Sequence, residues 1–224
     1  KIEGLTPGDY YLFAHSTTDE KFWGSTKATN KTTQKGIAIS SSGYSCKIIS
    51  KQKTSKAPFK GSFVINCPNE KINGSWTQET GYSPGIGQAF TDDGEVITAF
   101  FSYKQSAIID FAKKYYDTKQ TKIAKEEPIE EFKPKKNNQD NEAPVIKIAK
   151  TITVNNPSYE IEGKVSDKSN KIFVQIDGRT IPVNKGKFKI KRFSPVDEEI
   201  SIIATDQWGN SSEPMLVNII IDQK

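Results

Sequence analysis

The sequence predicts a mostly β chain of two domains. An N-terminal antiparallel β-meander with a short terminal helix covers 1–117, a charged linker 118–142, and a C-terminal β-sandwich 143–224. Three observations predict this. Short runs in which apolar and polar residues alternate recur through most of the chain, with Gly, Pro, Asn and Asp between them. Only over 105–117 does the apolar period become helical. Between 118 and 142 charge and proline replace apolar residues almost completely.

In the first region, GDYYLFAH, KGIAIS, YSCKIIS, GSFVIN, GSWTQ, GQAFT and EVITAFFSY each read as a strand. Within it, Phe59-Lys-Gly61-Ser-Phe63 is echoed by Ile72-Asn-Gly74-Ser-Trp76, followed by Gly85-Ile-Gly87 and Asp93-Gly94. These G-x-W, G-x-G and D-G elements resemble one MORN-type unit, the glycine-rich hairpin repeat. The resemblance implies hairpins whose glycines supply the positive φ of tight turns. One unit is no array, because stacked repeats are needed to bury a core.

QSAIIDFAKKYYD, residues 105–117, places Ile108, Phe111, Ala112 and Tyr115 on one helical face and Asp110, Lys113 and Lys114 towards water. Ser106 is the expected cap. A terminal helix packed on the first domain is the simplest role; a partner-binding helix is the alternative. The linker carries Pro128, Pro134 and the acidic cluster Glu126, Glu127, Glu130 and Glu131, read as solvated tether charge and not as a cation site.

The third region opens with Pro144-Val-Ile. SYEIEGKVSD follows, with Tyr159, Ile161, Gly163 and Val165 on one face. KIFVQIDGRTIPV is a hairpin turning at Asp177-Gly178, and GKFKIKRF, EEISIIATD and MLVNIIID complete seven strands. Pro144-Val-Ile, Ile161-Glu-Gly163-Lys-Val-Ser-Asp167, Val174-Gln-Ile-Asp-Gly178, Gly186-Lys-Phe188 and Ala204-Thr-Asp206-Gln-Trp-Gly209-Asn210 resemble the bacterial Ig-like modules related to glucodextranase domain B. That resemblance implies an Ig-like sandwich serving as an accessory module, with Asp206, Gly209 and Asn210 forming the turn of the last hairpin. Fold alone does not fix its function.

Charge narrows the partners. The net charge of +5 is spread thinly, and 30 of the 32 basic residues are lysine. Bidentate reading of phosphates and bases favours arginine, so no nucleic-acid partner is expected. No run of about 18 apolar residues exists to span a membrane as a helix. The chain opens on Lys1, which suggests a processed segment whose signal peptide is already gone. Cys46 and Cys67 stand in neighbouring strand-like runs and are expected to form a disulfide, which places the protein in the periplasm, at the cell surface or outside the cell. Two buried free thiols are the alternative.

Candidate sites are few. His15, the only histidine, lies in a strand pattern, so any Ser-His-Asp or Cys-His scheme would hang on it. Asp92-Asp93 read as turn residues and Glu198-Glu199 as a loop before a strand, not as glycosidase pairs. Asp167, Asp177 and Asp206 would have to cluster to hold calcium. Turns use Asp for backbone capping anyway, so no metal and no cofactor is assigned. Trp23, Trp76, Tyr82 and Trp208 offer a stacking platform for a sugar, though core packing is the plainer use of Trp23 and Trp76. Lys185, Lys187, Lys189 and Lys191 read as the outer face of one strand and as a patch for an anionic glycan or headgroup.

The expected function is therefore a non-catalytic, exported bacterial binding or scaffolding protein, or the accessory region of a larger one. Its partner would be a protein or a cell-surface glycan. The alternatives are a glycan-binding module and a hydrolase with its site in the N-terminal domain.

Overall fold

The computed structural model describes residues 2–123 and 140–223, of which 120–123 by backbone only. Two compact units make up the chain, one of Lys1–Lys114 with Arg192–Val196 and one of Tyr115–Lys191 with Asp197–Lys224. The acidic cluster Glu126, Glu127, Glu130 and Glu131 and both linker prolines lie outside the described residues.

The first unit contains eight strands: β1 (Tyr10–Ser16), β2 (Lys21–Ala28), β3 (Thr33–Ser40), β4 (Ser45–Gln52), β5 (Phe59–Asn66), β6 (Lys71–Gln78), β7 (Gly85–Phe90) and β8 (Val96–Ser102). Each pairs antiparallel with the next, as a meander should. The expected open meander is wrong in two respects: β2, over KFWGSTKA, is a strand that the seven expected runs omit, and the sheet is not open, which changes the architecture. β1 also pairs with β8, Leu12 opposite Phe101 and Ala14 opposite Ala99, so the sheet closes into a barrel with no free edge.

Closure rests on what the inward positions carry. Phe22, Phe63, Trp76 and Phe101 face the lumen, and each has a small residue directly across on one neighbouring strand: Ser40, Gly74, Gly61 and Gly85. A Cβ built on Gly85 would lie 1.9 Å from the Phe101 ring, and one on Gly61 2.3 Å from the Trp76 ring. These glycines, read above as hairpin residues, are inward-facing notches for rings. The hairpin role falls to Gly94, at φ +82° in the β7–β8 turn. That removes the physical basis of the MORN-type reading.

Helix α1 (Gln105–Ile123) follows β8 and runs past residue 117, where the sequence pattern ended it. Ser106 lies inside its first turn. The preceding backbone is held instead by Ser102, whose Oγ accepts from the Lys104 N–H at 3.1 Å. Phe111 stacks flat on Phe100 of the barrel's outer wall at 4.0 Å between ring centroids, and Ile108 and Ala112 are fully buried.

Among its described residues the second unit holds nine strands, not the seven expected. They are β9 (Val145–Lys147), β10 (Thr151–Val154), β11 (Ser158–Ser166), β12 (Ile172–Ile176), β13 (Arg179–Ile181), β14 (Val183–Asn184), β15 (Lys187–Phe193), β16 (Glu198–Asp206) and β17 (Met215–Ile221). One sheet runs β10-β17-β16-β12-β13 and the other β14-β15-β11-β9. The opening segment changes sheet: β9 pairs antiparallel with β11, and β10 pairs parallel with β17. This two-sheet arrangement is an Ig-like sandwich. The additional strands are β10 and the two-residue β14, both too short for alternation to reveal. Strict alternation along β11 buries Tyr159, Ile161, Gly163 and Val165, and the core is rich in Ile and Val. Asp177 and Gly178, at φ 49° and 79°, form the predicted hairpin turn.

Candidate functional site

The barrel interior is unevenly filled. Phe22, Cys46, Ile72, Ala89 and Ile97 occupy one part of it, where Cys46 is disulfide-bonded to Cys67. A cavity of about 140 Å³ occupies the other. Its floor is Leu12, Ile48, Phe63, Ile65 and Ala99, and its upper wall is Tyr10, Thr26, Gln34, Ser50, Gln52, Trp76, Gln78 and Phe101. That volume suits one small aromatic ring.

Strand register explains why these residues meet. Thr26, Gln34, Ser50, Gln52, Trp76 and Gln78 all stand in phase with the inward apolar residues of their own strands, at the same end of the barrel. Their hydrogen bonds fix the wall. Trp76 Nε1 donates to Ser50 Oγ at 3.0 Å, and the indole, 8% exposed, packs edge-on to Phe101. Thr26 Oγ1 donates to Gln34 Oε1 at 2.6 Å, which leaves the Gln34 amide hydrogens for another acceptor. Gln52 and Gln78 each donate an amide hydrogen to a loop carbonyl, of Thr54 and Ser83, both at 2.7 Å. Their amide oxygens remain as acceptors. Among the described residues lining the cavity there is no Asp, Glu, His or Cys, and Lys31 is the one charged side chain. The site can therefore bind a flat neutral group by stacking and amide hydrogen bonds, and it offers no acid–base pair.

The residues singled out from sequence scatter. Trp76 is in the cavity wall. Trp23 faces outward yet is fully buried, packed on Phe13 at 4.7 Å between ring centroids, so it presents no stacking surface. Tyr82, 83% exposed, lies in the loop before β7 and meets Tyr103 edge-on at 6.3 Å. Trp208, 42% exposed, belongs to the second unit, in the turn after β16. His15 is half-buried on the outer wall of the barrel, tilted against Phe13. Asp92 and Asp93 are exposed in the β7–β8 turn. Glu198 is not in a loop: it opens β16, is buried, and accepts a hydrogen bond from the Tyr159 hydroxyl.

Lys187, Lys189 and Lys191 do alternate along the outer face of β15, but Lys185 sits in the preceding turn at φ 49°. Acids on β11 offset the row. Lys189 pairs with Glu160 at 2.5 Å, and that bond, with the nearby Glu162 charge, raises its pKa above the usual lysine value.

Of the three aspartates weighed for calcium, Asp167 and Asp206 come together and Asp177 does not. β12 and β16 are antiparallel with Ile172 opposite Asp206, so Asp177, beyond the far end of β12, lies at the other end of the sandwich. The third member of the cluster is Asp140, which the sequence reading had placed in the linker.

Gln34, Ser50, Gln52, Gln78 and Phe101 were missed from sequence. A signal existed: amide side chains standing at inward positions near the same end of successive strands. It has meaning only once the sheet is known to close.

No protein-family model matches this chain, and no curated protein matches it. Among solved structures, it is similar to a redesigned β-barrel, mFAP1, solved bound to DFHBI, at 15% identity and TM-score 0.33, over 43% of this chain and 93% of that one. It is also similar to the fibronectin(III)-like modules of Clostridium thermocellum CbhA, at 16% identity and TM-score 0.28, over 79% of this chain and 85% of that one.

Proposed function

We propose that this is a non-catalytic bacterial binding protein whose barrel takes a small, flat, neutral ligand into its hollow end. Its Ig-like sandwich is an accessory module for adhesion or assembly. The observation that carries the reading is the cavity wall, to which Trp76, Phe101 and Tyr10 contribute aromatic rings while Gln34, Gln52 and Gln78 keep unused amide groups. Eight-stranded barrels either fill their interior with side chains or hold one small ligand, and unused amides beside an unfilled volume favour the second use. The Cys46–Cys67 disulfide supports an oxidising compartment, hence the periplasm, the cell surface or the medium. The neutral, acid-free wall supports binding over hydrolysis.

Calorimetric titration with phenol, indole and benzamide tests the reading. At least one of them binds with Kd on the order of 0.1 mM, consistent with seven to nine heavy atoms. Ala99→Leu, which grows into the cavity, abolishes binding while the circular dichroism spectrum is retained. Absence of binding, or binding indifferent to Ala99→Leu, contradicts the lumen as the site. Hydrolysis of a glycan or peptide panel that vanished in His15→Ala would contradict the non-catalytic assignment.

A second reading has one observation of its own. Tyr82 and Tyr103 form an exposed edge-to-face pair with Lys104 over the Tyr103 ring at 5.4 Å, an arrangement suited to a surface glycan. Glycan-array binding that Tyr82→Ala removes and Ala99→Leu leaves intact would select it.

A further inference from the structure

At one end of the sandwich, Asp140 ahead of β9, Asp167 after β11 and Asp206 at the end of β16 each bring one carboxylate oxygen within 4.8 Å of the others. Asp140 is 7% exposed and Asp206 3%. No described basic side chain pairs with any of the three. Lys168, the nearby ammonium, is ion-paired with Glu142 at 2.8 Å on the surface, and the charges of Asp140 and Asp167 add only the smaller part of the rise in its pKa. Three like charges at this separation, two of them out of water, repel strongly unless something positive joins them.

Asp206 explains itself without an ion. Its Oδ1 accepts from the backbone N–H groups of Trp208 and Asn210, both at 2.8 Å, and its Oδ2 from Asn210 Nδ2 at 2.7 Å. Asp167 Oδ2 accepts from the Ser169 N–H at 3.2 Å. Asp140 is different. Its Oδ1 accepts from the Glu142 N–H at 3.0 Å, but its Oδ2 is buried with no hydrogen-bond partner. A buried carboxylate oxygen without a hydrogen-bond partner, on a residue clustered with two further carboxylates, is costly as it stands, and a hard cation removes the cost.

We propose that Asp140, Asp167 and Asp206 bind one calcium ion. Carboxylate oxygens from three separate segments suit an ion that takes six to eight oxygen ligands in adaptable geometry, water completing the shell. The ion would tie the chain entering the sandwich to the β11–β12 and β16–β17 turns. Asn210 already bridges two of these segments, its Nδ2 donating to the Asp140 carbonyl at 3.0 Å. Asp140, distant in sequence from the other two, is the ligand that only the fold brings to them.

The test is calorimetry and thermal unfolding of the full chain, stripped with EDTA and then given calcium chloride. One ion binds per chain with Kd on the order of 0.1 mM, the range of extracellular calcium modules. At 5 mM calcium the sandwich transition rises by roughly 10 °C, because the ion binds only the folded state. Asp140→Asn weakens binding more than tenfold and removes the rise. Asp167→Asn, at a less buried position, does the same and carries the test if Asp140→Asn fails to fold. No calcium binding and no shift in Tm would overturn the proposal, as would binding retained in both variants. An equal shift with magnesium would overturn the assignment to calcium.

Discussion

The barrel interior and the sandwich interior are both built by alternation along strands, yet they fill space differently. The sandwich core is dominated by β-branched side chains, with Ile161, Val174, Ile176, Ile200, Ile202 and Val217 all essentially inaccessible and buried Glu198 meeting the Tyr159 hydroxyl. The barrel core mixes extremes: Gly61, Gly74, Gly85 and four alanines against Phe22, Phe63, Trp76 and Phe101. At one end it also takes in Gln34, Ser50, Gln52 and Gln78. Side chains of similar size from two facing sheets interdigitate and leave little room. In the barrel, rings set over glycines line a closed wall, and three of them, Phe63, Trp76 and Phe101, border the hollow that is left. The polar residues at that end mark it as a place where something other than protein can sit.

Substitutions at matched positions can break this comparison. Phe188 in the sandwich is fully buried over Gly163, and Phe188→Ala is expected to cost about 3–5 kcal/mol. Phe101→Ala, at the half-buried rim of a cavity that already exists, is expected to cost less, about 1–2 kcal/mol. Urea unfolding followed separately for each unit measures both. Equal costs would mean that the hollow end is packed as tightly as the sandwich.

Removing the disulfide by Cys46→Ser with Cys67→Ser should come next. The cysteines are 21 residues apart in sequence, and the loop-closure argument gives about 3 kcal/mol. The loss should fall on the barrel transition alone and leave the sandwich midpoint where it was. Gly85→Ala sharpens the point about rings and notches, since its methyl would sit 1.9 Å from the Phe101 ring and cost about 1–3 kcal/mol. Gly94→Ala has nothing within 4 Å and costs only the strain of its positive φ, about 1 kcal/mol.

The smallest effect belongs to the surface of the sandwich. Lys168 and Lys189 have their pKa values raised above 10.5, chiefly by hydrogen bonds to Glu142 and Glu160. A raised lysine pKa means stability that is complete below the unfolded value and lost as pH climbs through the folded one. Any contribution of these pairs therefore disappears above about pH 10.5 and leaves the neutral range flat. Both pairs are exposed, so Lys189→Met should barely move the denaturation midpoint at pH 7, and less still in 0.5 M salt.

Much of the sandwich was legible in advance because its determinants are local. Alternation over SYEIEGKVS sets the buried face of β11, and Asp177-Gly178 sets a turn through two positive φ values, whatever surrounds them. The disulfide partners were legible for a similar reason, since both lie in short neighbouring runs. Closure of the barrel was not. It depends on β1 meeting β8 across some ninety residues, and nothing within either strand specifies that partner. Without closure, Gly61 and Gly85 read as hairpin glycines, and nothing marks Gln34, Gln52 and Gln78 as lining a common interior. Asp140 read as linker charge until the fold set it beside Asp167 and Asp206. The sequence by itself thus determined most of the strands, all but β2, β10 and β14, and the tight turns at Asp93-Gly94 and Asp177-Gly178, because φ preferences and a period of two act within a few residues. Which faces became interior, where space was left over and which carboxylates were forced together was decided by tertiary structure, because burial and like-charge proximity arise only when distant segments pack.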